Sequence, residues 1–186
     1  RQRQMCIRDR LRAGETAESI KQQPAIAATR EAYKRCGKDP SRYRPSAEAL
    51  RRRLMRGLEL YQIDTLVDLI NLVSLRTGYS IGGFDADKIQ GDSLELGIGR
   101  AEEPFEGIGR GTLNIEGLPV YRDRAGGIGT PTSDNERTKM GLETRRILAI
   151  VNGYNGREGL AEAAGMIQEP LRKYADSDGG TILYFE

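Results

Sequence analysis

The side chains of this chain that are best suited to chemistry are hydrogen-bonding groups, concentrated in residues 130–137 with one further amide at Asn71. Groups of this kind position a water molecule against an ester and stabilise the oxyanion that forms, without a titrating nucleophile. The segment could hold a ribose, an amino group or the attacking water. The alternative is a structural loop in which Asp134 or Asn135 caps the next helix and Arg137 pairs with a carboxylate.

The chain contains no histidine. This excludes Ser-His-Asp and Cys-His arrangements, histidine metal sites and imidazole acid-base catalysis. Because Cys6 and Cys36 are its two cysteines, thiolate zinc sites are excluded as well. A cation site built from Asp85, Asp87 and Asp92 lacks the glycine and the terminal glutamate of a calcium loop, so we expect an aspartate-capped turn there. The sequence therefore predicts no metal ion and no cofactor.

Length and composition bound the class of protein. The chain has 186 residues, of which 38% are hydrophobic, and this fits one domain with an ordinary core. No apolar run is long enough for a membrane span, so we expect no membrane partner. Cys36 has no credible partner for an internal disulfide, which is consistent with a reducing, cytoplasmic location.

The first ten residues, RQRQMCIRDR, do not look like part of a domain. They resemble translated sequencing-adaptor sequence, so we predict that residues 1–12 are a non-native tail and that residues 13–186 form a single domain. The alternative is a genuine basic arm that contacts nucleic acid. The first ten residues carry a net charge of about +3, and the rest of the chain is therefore close to neutral at about −1.

Positive charge is concentrated locally, in residues 30–56, where ten Arg and Lys side chains face three acidic ones. Such a segment can neutralise phosphates and release counterions. The predicted RNA-binding residues are the arginines Arg42, Arg44, Arg51, Arg52 and Arg56. The alternative is a solvated helix face on which arginine stems cover apolar surface.

Helical patterns dominate the first half of the chain. Residues 16–36 show a helical pattern that is interrupted by Pro24. Ser46 is predicted to cap a second helix that ends at Gly57, and Asp64 a third that ends at Gly78. The third is apolar on most sides, so we expect it to be a buried central helix.

The second half reads mainly as strands. Residues 79–120 are short apolar pieces separated by glycine, which indicates strands and tight turns. The run ILAIV at 147–151 predicts a strand covered on both faces. A helix is expected over 157–174, kinked or shortened by Pro170, and the final TILYFE predicts a last strand. The sum is an α+β domain with a mixed, largely antiparallel sheet packed with helices.

Residues 64–89, DTLVDLINLVSLRTGYSIGGFDADKI, resemble without a gap a signature of the B3/B4 domain, the tRNA-binding and editing module of the phenylalanyl-tRNA synthetase beta subunit. The matching positions are Asp68, Asn71, Val73, Leu75, Gly78, Phe84, Asp85, Asp87, Lys88 and Ile89. Residues 39–53, 105–115 and 130–138 resemble small free-standing proteins built from that domain alone. The resemblance implies a single-module relative rather than a synthetase, and one that lacks the N-terminal sequence of its relatives.

The resemblance also implies where a substrate pocket would lie. The Thr-Asn pair of the motif falls on Ile70 and Asn71, and its histidine falls on Gly82. Its glycine pair falls near Pro131 and Thr132, and the glutamate that reads a tyrosine hydroxyl falls near Ile150. The predicted catalytic set, which would orient the ester, is Asn71, Thr132 and Ser133, and the predicted substrate-binding set is Ile70, Gly82, Gly83, Pro131, Asp134 and Ile150.

The family module hydrolyses tyrosine that has been attached to phenylalanine tRNA by mistake. Because the acceptor for the phenol is replaced by Ile150, we expect this chain to take a smaller or aliphatic aminoacyl group instead. Three hypotheses follow for its function. The first is a tRNA-binding domain that hydrolyses misacylated tRNA in trans, the second is an RNA-binding module with a decayed pocket, and the third is a binder of an amino-acid-type small molecule.

Overall fold

The computed structural model of the chain describes residues 14–60 and 63–185. The predicted tail at residues 1–12 lies outside the described residues. The described part contains five α-helices, namely α1 (Ala17–Lys21), α2 (Pro24–Arg35), α3 (Ser46–Met55), α4 (Thr65–Thr77) and α5 (Leu160–Tyr174). It contains seven strands, namely β1 (Ser80–Asp85), β2 (Glu95–Ile98), β3 (Glu106–Gly107), β4 (Gly111–Thr112), β5 (Pro119–Asp123), β6 (Gly126–Gly129) and β7 (Ile147–Asn152).

The helix boundaries follow local signals. Pro24 separates α1 from α2 and occupies the first turn of α2, where its missing N–H is not needed. Asp64 caps α4 by accepting a hydrogen bond from the Val67 N–H at 2.9 Å, and Gly78 ends that helix with φ of 81°. The predicted break at Pro24 and the predicted ends of α4 at Asp64 and Gly78 are confirmed.

The start of α3 differs from the prediction by one residue. Ser46 is the first helical residue, and Pro45 occupies the capping position without a side-chain hydrogen bond. The Ser46 N–H instead donates to the Pro131 carbonyl at 2.9 Å. A tertiary partner therefore satisfies the N–H that a capping side chain would otherwise bind.

All strand pairs among the described residues are antiparallel. β1 pairs with β7 from Ser80 opposite Asn152 to Asp85 opposite Ile147. A second sheet has the order β2–β5–β6, and β3 and β4 form a small hairpin. The α+β prediction is confirmed.

Residues 130–140 join these sheets. Single antiparallel bridges pair Asp134 with Gly129, Asn135 with Gly107, and Lys139 with Phe84. The segment that sequence analysis selected for its hydrogen-bonding groups is therefore also the connection between the three sheets.

Three apolar clusters form the core. In the largest, α4 and α5 pack on one face of the β1–β7 sheet through Ile70, Val73, Ile81, Ile167 and Leu171. The second gathers Tyr33, Phe105, Ile115, Leu118 and Val120 around β5. The third lies between α1, α2 and α3 and contains Ile20, Ile26 and Ala47.

Two expectations for the C-terminal part differ from the structure. The helix α5 was expected to be kinked or shortened by Pro170, and the shortening is wrong, since α5 continues to Tyr174 while Ile167 and Leu171 on either side of the proline stay buried in the core. The predicted strand TILYFE is absent from residues 181–185, and Phe185 is 88% exposed. High β-propensity does not form a strand unless a neighbouring strand pairs with its backbone groups.

The strand β7 is also less covered than its apolar sequence predicted. Residues 147–151 are half-buried, although β1 beside them is buried throughout. The reason is that helices cover one face of β7 while the other face stays partly open.

A buried carboxylate organises the helical layer. The Glu48 side chain of α3 is fully buried, and its oxygens lie 2.8 Å from Arg30 Nη1, 2.7 Å from Arg52 Nε and 3.5 Å from Arg44 Nε. Arg30 also donates to the Pro40 carbonyl at 3.2 Å, and Arg52 donates to a carbonyl of α1. One acid therefore connects α1, α2, α3 and the loop before α3.

Arg51 has a similar structural position. Its side chain is 3% exposed, and it pairs with Glu15 and donates to the Leu75 carbonyl near the C-terminal end of α4. Burial lowers the pKa of Arg51, and Glu15 opposes that effect. The guanidinium group of Arg51 thus lies at the negative end of the α4 helix dipole.

We predict that Glu48→Gln lowers the free energy of unfolding by about 3–5 kcal/mol, because it leaves buried guanidinium groups without their anion. The measurement is urea unfolding followed by circular dichroism. Glu31→Gln is the matched control, since Glu31 is exposed and pairs only at 3.6 and 3.8 Å with Lys34 and Arg35. The control should change the free energy by less than about 0.5 kcal/mol. Equal stability of the two variants would contradict the organising role of Glu48.

Candidate functional site

The two faces of the β1–β7 sheet have different environments, because side chains alternate along a strand. Ile81 and Gly83 face the helices. A Cβ atom built on Gly83 would lie 2.9 Å from Ile70 Cδ1 and 2.6 Å from Met140 Cε. The predicted substrate residues Ile70 and Gly83 therefore lie on the face of the sheet that the helices cover.

The opposite face, here called the inter-sheet face, lies towards β5 and β6 and is formed by Ser80, Gly82, Phe84, Leu148, Ile150 and Asn152. A Cβ atom on Gly82 would lie 2.7 Å from Phe84 Cζ, and one on Gly129 of β6 would lie 2.5 Å from the same atom. The phenyl ring therefore fills the space that these two glycines leave between β1 and β6. Real Cβ atoms do not approach so closely, so both positions require glycine or a displaced ring.

Asp134 lies beside this ring. Its Oδ2 accepts a hydrogen bond from the Gly83 N–H at 3.0 Å, and its Oδ1 lies 3.0 Å from the Cβ position of Gly82. Asp134 is half-buried, and no cation among the described residues pairs with it. Burial raises the pKa of Asp134 to about 7, and the hydrogen bond from Gly83 only partly opposes that effect. Asp134 can therefore take or release a proton at neutral pH.

The turn before Asp134 is closed by its own hydroxyl groups. Thr130 Oγ1 accepts from the N–H groups of Thr132 and Ser133 at 3.2 and 3.0 Å. Thr132 Oγ1 lies 2.8 Å from Tyr33 Oη and donates to the Tyr43 carbonyl at 3.2 Å. Thr132 therefore ties α2 to the turn. Ser133 Oγ makes only a long contact of 3.4 Å, to the Asp134 carbonyl, and is half-buried.

The structural alternative for the end of this segment is confirmed. Asn135 Oδ1 accepts from the Arg137 N–H at 2.9 Å and so caps the short 3-10 helix Glu136–Thr138. Arg137 forms a two-bond pair with Asp123 at 2.9 and 2.8 Å. Burial of Asp123 opposes its ionisation, but Arg137 and backbone N–H groups lower its pKa overall.

The expected aspartate-capped turn after β1 is present as well. Asp85 caps the 3-10 helix Ala86–Lys88 by accepting from the Asp87 N–H at 3.1 Å, and it also accepts from Thr144 Oγ1 at 2.9 Å.

Asn71 is not joined to the turn at 130–135 by a hydrogen bond among the described residues. It follows Ile70 on α4 and is half-buried. Within residues 14–60 and 63–185, no hydrogen bond joins its amide to Thr132 or Ser133. The joint action of these three residues on an ester stays a prediction.

A group of tyrosines surrounds the other end of the inter-sheet face. Tyr121 Oη donates to Asn152 Oδ1 at 2.9 Å, and Asn152 Nδ2 donates to the Ser80 carbonyl at 2.9 Å. Burial raises the pKa of Tyr121 to about 12, and burial raises that of Tyr33 and Tyr154 further. Sequence reasoning missed these residues because they lie in three distant segments and carry no spacing signal.

Only some of the predicted RNA-binding arginines in the basic segment at residues 30–56 are exposed. Arg51 and Arg52 are directed to buried acids, and Arg44 lies 3.5 Å from Glu48. Arg42 and Arg56 are exposed. Two cations, Lys38 at 3.9 Å and Arg42 at 5.8 Å, lie over the ring of Tyr43, which places positive charge beside an aromatic side chain.

The same described residues bear on metal sites and on membrane spans. No group of three or more Cys, Asp or Glu side chains there is arranged to hold a metal ion. No helix there has both the length and the apolar character needed to cross a lipid bilayer.

Comparison with known families gives one match. The model of the B3/4 domain family matches residues 28–166, which run from α2 to α5 and include all the predicted site residues. This confirms the resemblance to the B3/B4 domain, whereas the synthetase subunit context stays a prediction. A search of curated proteins finds no match to the chain.

We predict that Gly82→Ala lowers the free energy of unfolding by about 1–3 kcal/mol, because the added methyl group overpacks the Phe84 ring. Gly165→Ala is the control, since a Cβ atom at this exposed position of α5 meets nothing within 4 Å. It should stabilise the protein by about 0.5–1 kcal/mol through the lower entropy of the unfolded chain. Chemical unfolding measures both, and a stabilising effect at Gly82 would contradict the close approach of the ring.

We predict that Asp134→Asn stabilises the protein more at pH 8 than at pH 4. The folded pKa of about 7 lies above the ordinary 3.8, so ionisation in the unfolded state lowers wild-type stability as pH rises from about 4 to about 7. The asparagine keeps an acceptor for Gly83 and does not ionise. The gain should grow by about 1.4 kcal/mol for each unit of pKa shift and level off above pH 7.

The measurement is thermal unfolding of both proteins across this pH range. Asp92→Asn, at an exposed carboxylate, is the control and should show no such trend. A gain for Asp134→Asn that is equal at pH 4 and pH 8 would show that the carboxyl group is not held in its neutral form.

Proposed function

Because the chain belongs to the B3/4 domain family, we propose that it is a free-standing RNA-binding domain that receives the aminoacylated end of a tRNA and hydrolyses the ester of a misattached amino acid. The observation that carries this proposal is the position of Asp134. Its carboxyl group can accept a proton at neutral pH, and it lies on the inter-sheet face beside Gly82, at the place where the family resemblance puts the pocket.

In the proposed reaction, ionised Asp134 takes a proton from a water molecule as the water oxygen attacks the ester carbonyl. The bond between the carbonyl carbon and the ribose oxygen then breaks, and that oxygen takes the proton. Ser133, with its weakly engaged hydroxyl, is the group that would hold the ester or the ribose. Thr132 is a positioning residue, because its hydroxyl is engaged by Tyr33 and Tyr43.

The acyl group has to bind on the open side of the inter-sheet face. The Phe84 ring occupies the space over Gly82, whereas Leu148 and Ile150 of β7 are half-buried. These two side chains are aliphatic. They favour a small or aliphatic aminoacyl group over a phenol, since the apolar Ile150 stands near the position of the family's glutamate.

RNA binding is proposed for the exposed part of the basic segment. Arg42 and Arg56 are exposed, and Arg42 lies beside the ring of Tyr43. Arg51 and Arg52 are left out of the proposed surface, because buried acids already bind them. A cytoplasmic location, where tRNA is available, belongs to the same proposal.

Two further functions have specific support. A non-enzymatic RNA-binding module is favoured by the engaged hydroxyl of Thr132 and by the loss of a hydroxyl at Ile70. A small-molecule binder is favoured by the polar groups around Tyr121 and Asn152 on the same face.

We predict that the chain deacylates one or a few members of a panel of mismatched aminoacyl-tRNAs, and that Asp134→Asn lowers the rate by about 100-fold or more. The rate should rise with pH through about 7 in the wild-type protein, as Asp134 ionises. Asn71→Ala tests the predicted ester-orienting amide, and Asp92→Asn is the control with unchanged rate.

Each other outcome selects a different function. A flat panel with salt-dependent tRNA binding would exclude hydrolysis and favour the RNA-binding module. No tRNA binding, together with thermal stabilisation by a free amino acid, would favour the small-molecule binder. Hydrolysis that is unchanged in Asp134→Asn would exclude Asp134 as the base.

A further inference from the structure

Tyr154 carries a buried hydroxyl that no group in the described residues binds. The residue lies just after β7 and is half-buried, but its Oη has almost no exposed surface and no hydrogen-bond partner. A buried polar group without a partner is unfavourable, and native proteins seldom leave one. The hydroxyl therefore needs a partner other than the groups of residues 14–60 and 63–185.

The two tyrosines that interact with Tyr154 both have hydrogen-bond partners. Tyr33 pairs with Thr132 at 2.8 Å, and Tyr121 donates to Asn152 at 2.9 Å. Tyr154 thus offers an unused hydrogen-bonding position beside groups whose own capacity is already engaged.

The surroundings limit the chemistry of a partner. Burial is the main cause of the raised pKa of Tyr154, and the groups that add to it are the phenols of Tyr121 and Tyr33 and the thiol of Cys36. A charged group bound there would be buried without a counterion, which is strongly unfavourable. A neutral hydroxyl on an aliphatic stem suits both this position and the half-buried Ile150 on the same side of the sheet.

We infer that Tyr154 is a specificity-determining residue, whose hydroxyl binds the side-chain hydroxyl of a small aliphatic aminoacyl group, such as a threonyl group, at the inter-sheet face. The inference rests on the proposed function, because it names the substrate class of that site. A hydrogen bond from Tyr154 would distinguish a threonyl group from the isosteric valyl group. A purely apolar pocket discriminates poorly between such a pair.

The test is calorimetric binding of two stable amide analogues, 3′-threonylamino-3′-deoxyadenosine and 3′-valylamino-3′-deoxyadenosine, to the whole chain. The wild-type protein should bind the threonyl compound about tenfold more tightly than the valyl compound, the effect of one neutral hydrogen bond. Tyr154→Phe should abolish that preference and leave affinity for the valyl compound unchanged. Tyr174→Phe, at a 55% exposed tyrosine of α5, is the control and should keep the preference.

Thermal unfolding of the unliganded proteins gives a second readout. Tyr154→Phe should unfold at the same or a higher temperature than the wild type, because it removes a hydroxyl without a partner. Tyr121→Phe should unfold at a lower temperature, because it leaves Asn152 without its donor. A lower unfolding temperature for Tyr154→Phe would show that its hydroxyl has a structural role and would overturn the inference.

The binding outcomes separate this inference from the proposed function. Equal affinity of the wild type for both compounds, a preference that persists in Tyr154→Phe, or no binding of either compound would overturn the inference. A preference that depends on Tyr154 without any hydrolysis of the ester would support the inference and exclude the enzymatic function. Hydrolysis without any such preference would leave the enzymatic function and remove the role of Tyr154.

Discussion

The structure depends on the close approach of β1 and β6 around the Phe84 ring. Gly82 and Gly129 have no side chains, so the ring lies against both strands and the Asp134 carboxyl group lies at its edge. The segment that contains Asp134 also bridges the three sheets. A change in the space at this point would therefore alter the sheet connection and the candidate site together, because close-packed interiors transmit such changes.

Part of the strongly basic helical segment stabilises the fold. Glu48 and Glu15 bind Arg30, Arg52 and Arg51 in the interior of the helical layer. Removing one member of a buried network leaves an unpaired charge, so these arginines are constrained by their acids. The positive charge left at the surface is smaller than the sequence alone indicates, and the proposed RNA-binding surface is reduced to exposed cations such as Arg42 and Arg56.

The inter-sheet face contains both an unfavourable carboxyl group and an unpaired hydroxyl. Burial disfavours the charged form of Asp134, and Tyr154 has no partner in the described residues. Proteins retain such groups where a ligand or a reaction uses them, and the rest of the fold compensates for their unfavourable energy.

The sequence alone determined the α+β class, the caps of α4 at Asp64 and Gly78, the break at Pro24 and the B3/4 family, because these depend on local spacing and on one contiguous motif. It also gave both interpretations of residues 130–137. Only the tertiary structure showed the structural interpretation for Asn135 and Arg137, since the partner of Arg137 lies on β5, whereas a catalytic role for the rest of the segment stays a prediction. It likewise decided that Arg51 points inward, that residues 181–185 have no strand partner, and that Tyr33, Tyr121 and Tyr154 converge. Burial, charge pairing and strand pairing join residues far apart in the chain, and no local pattern encodes them.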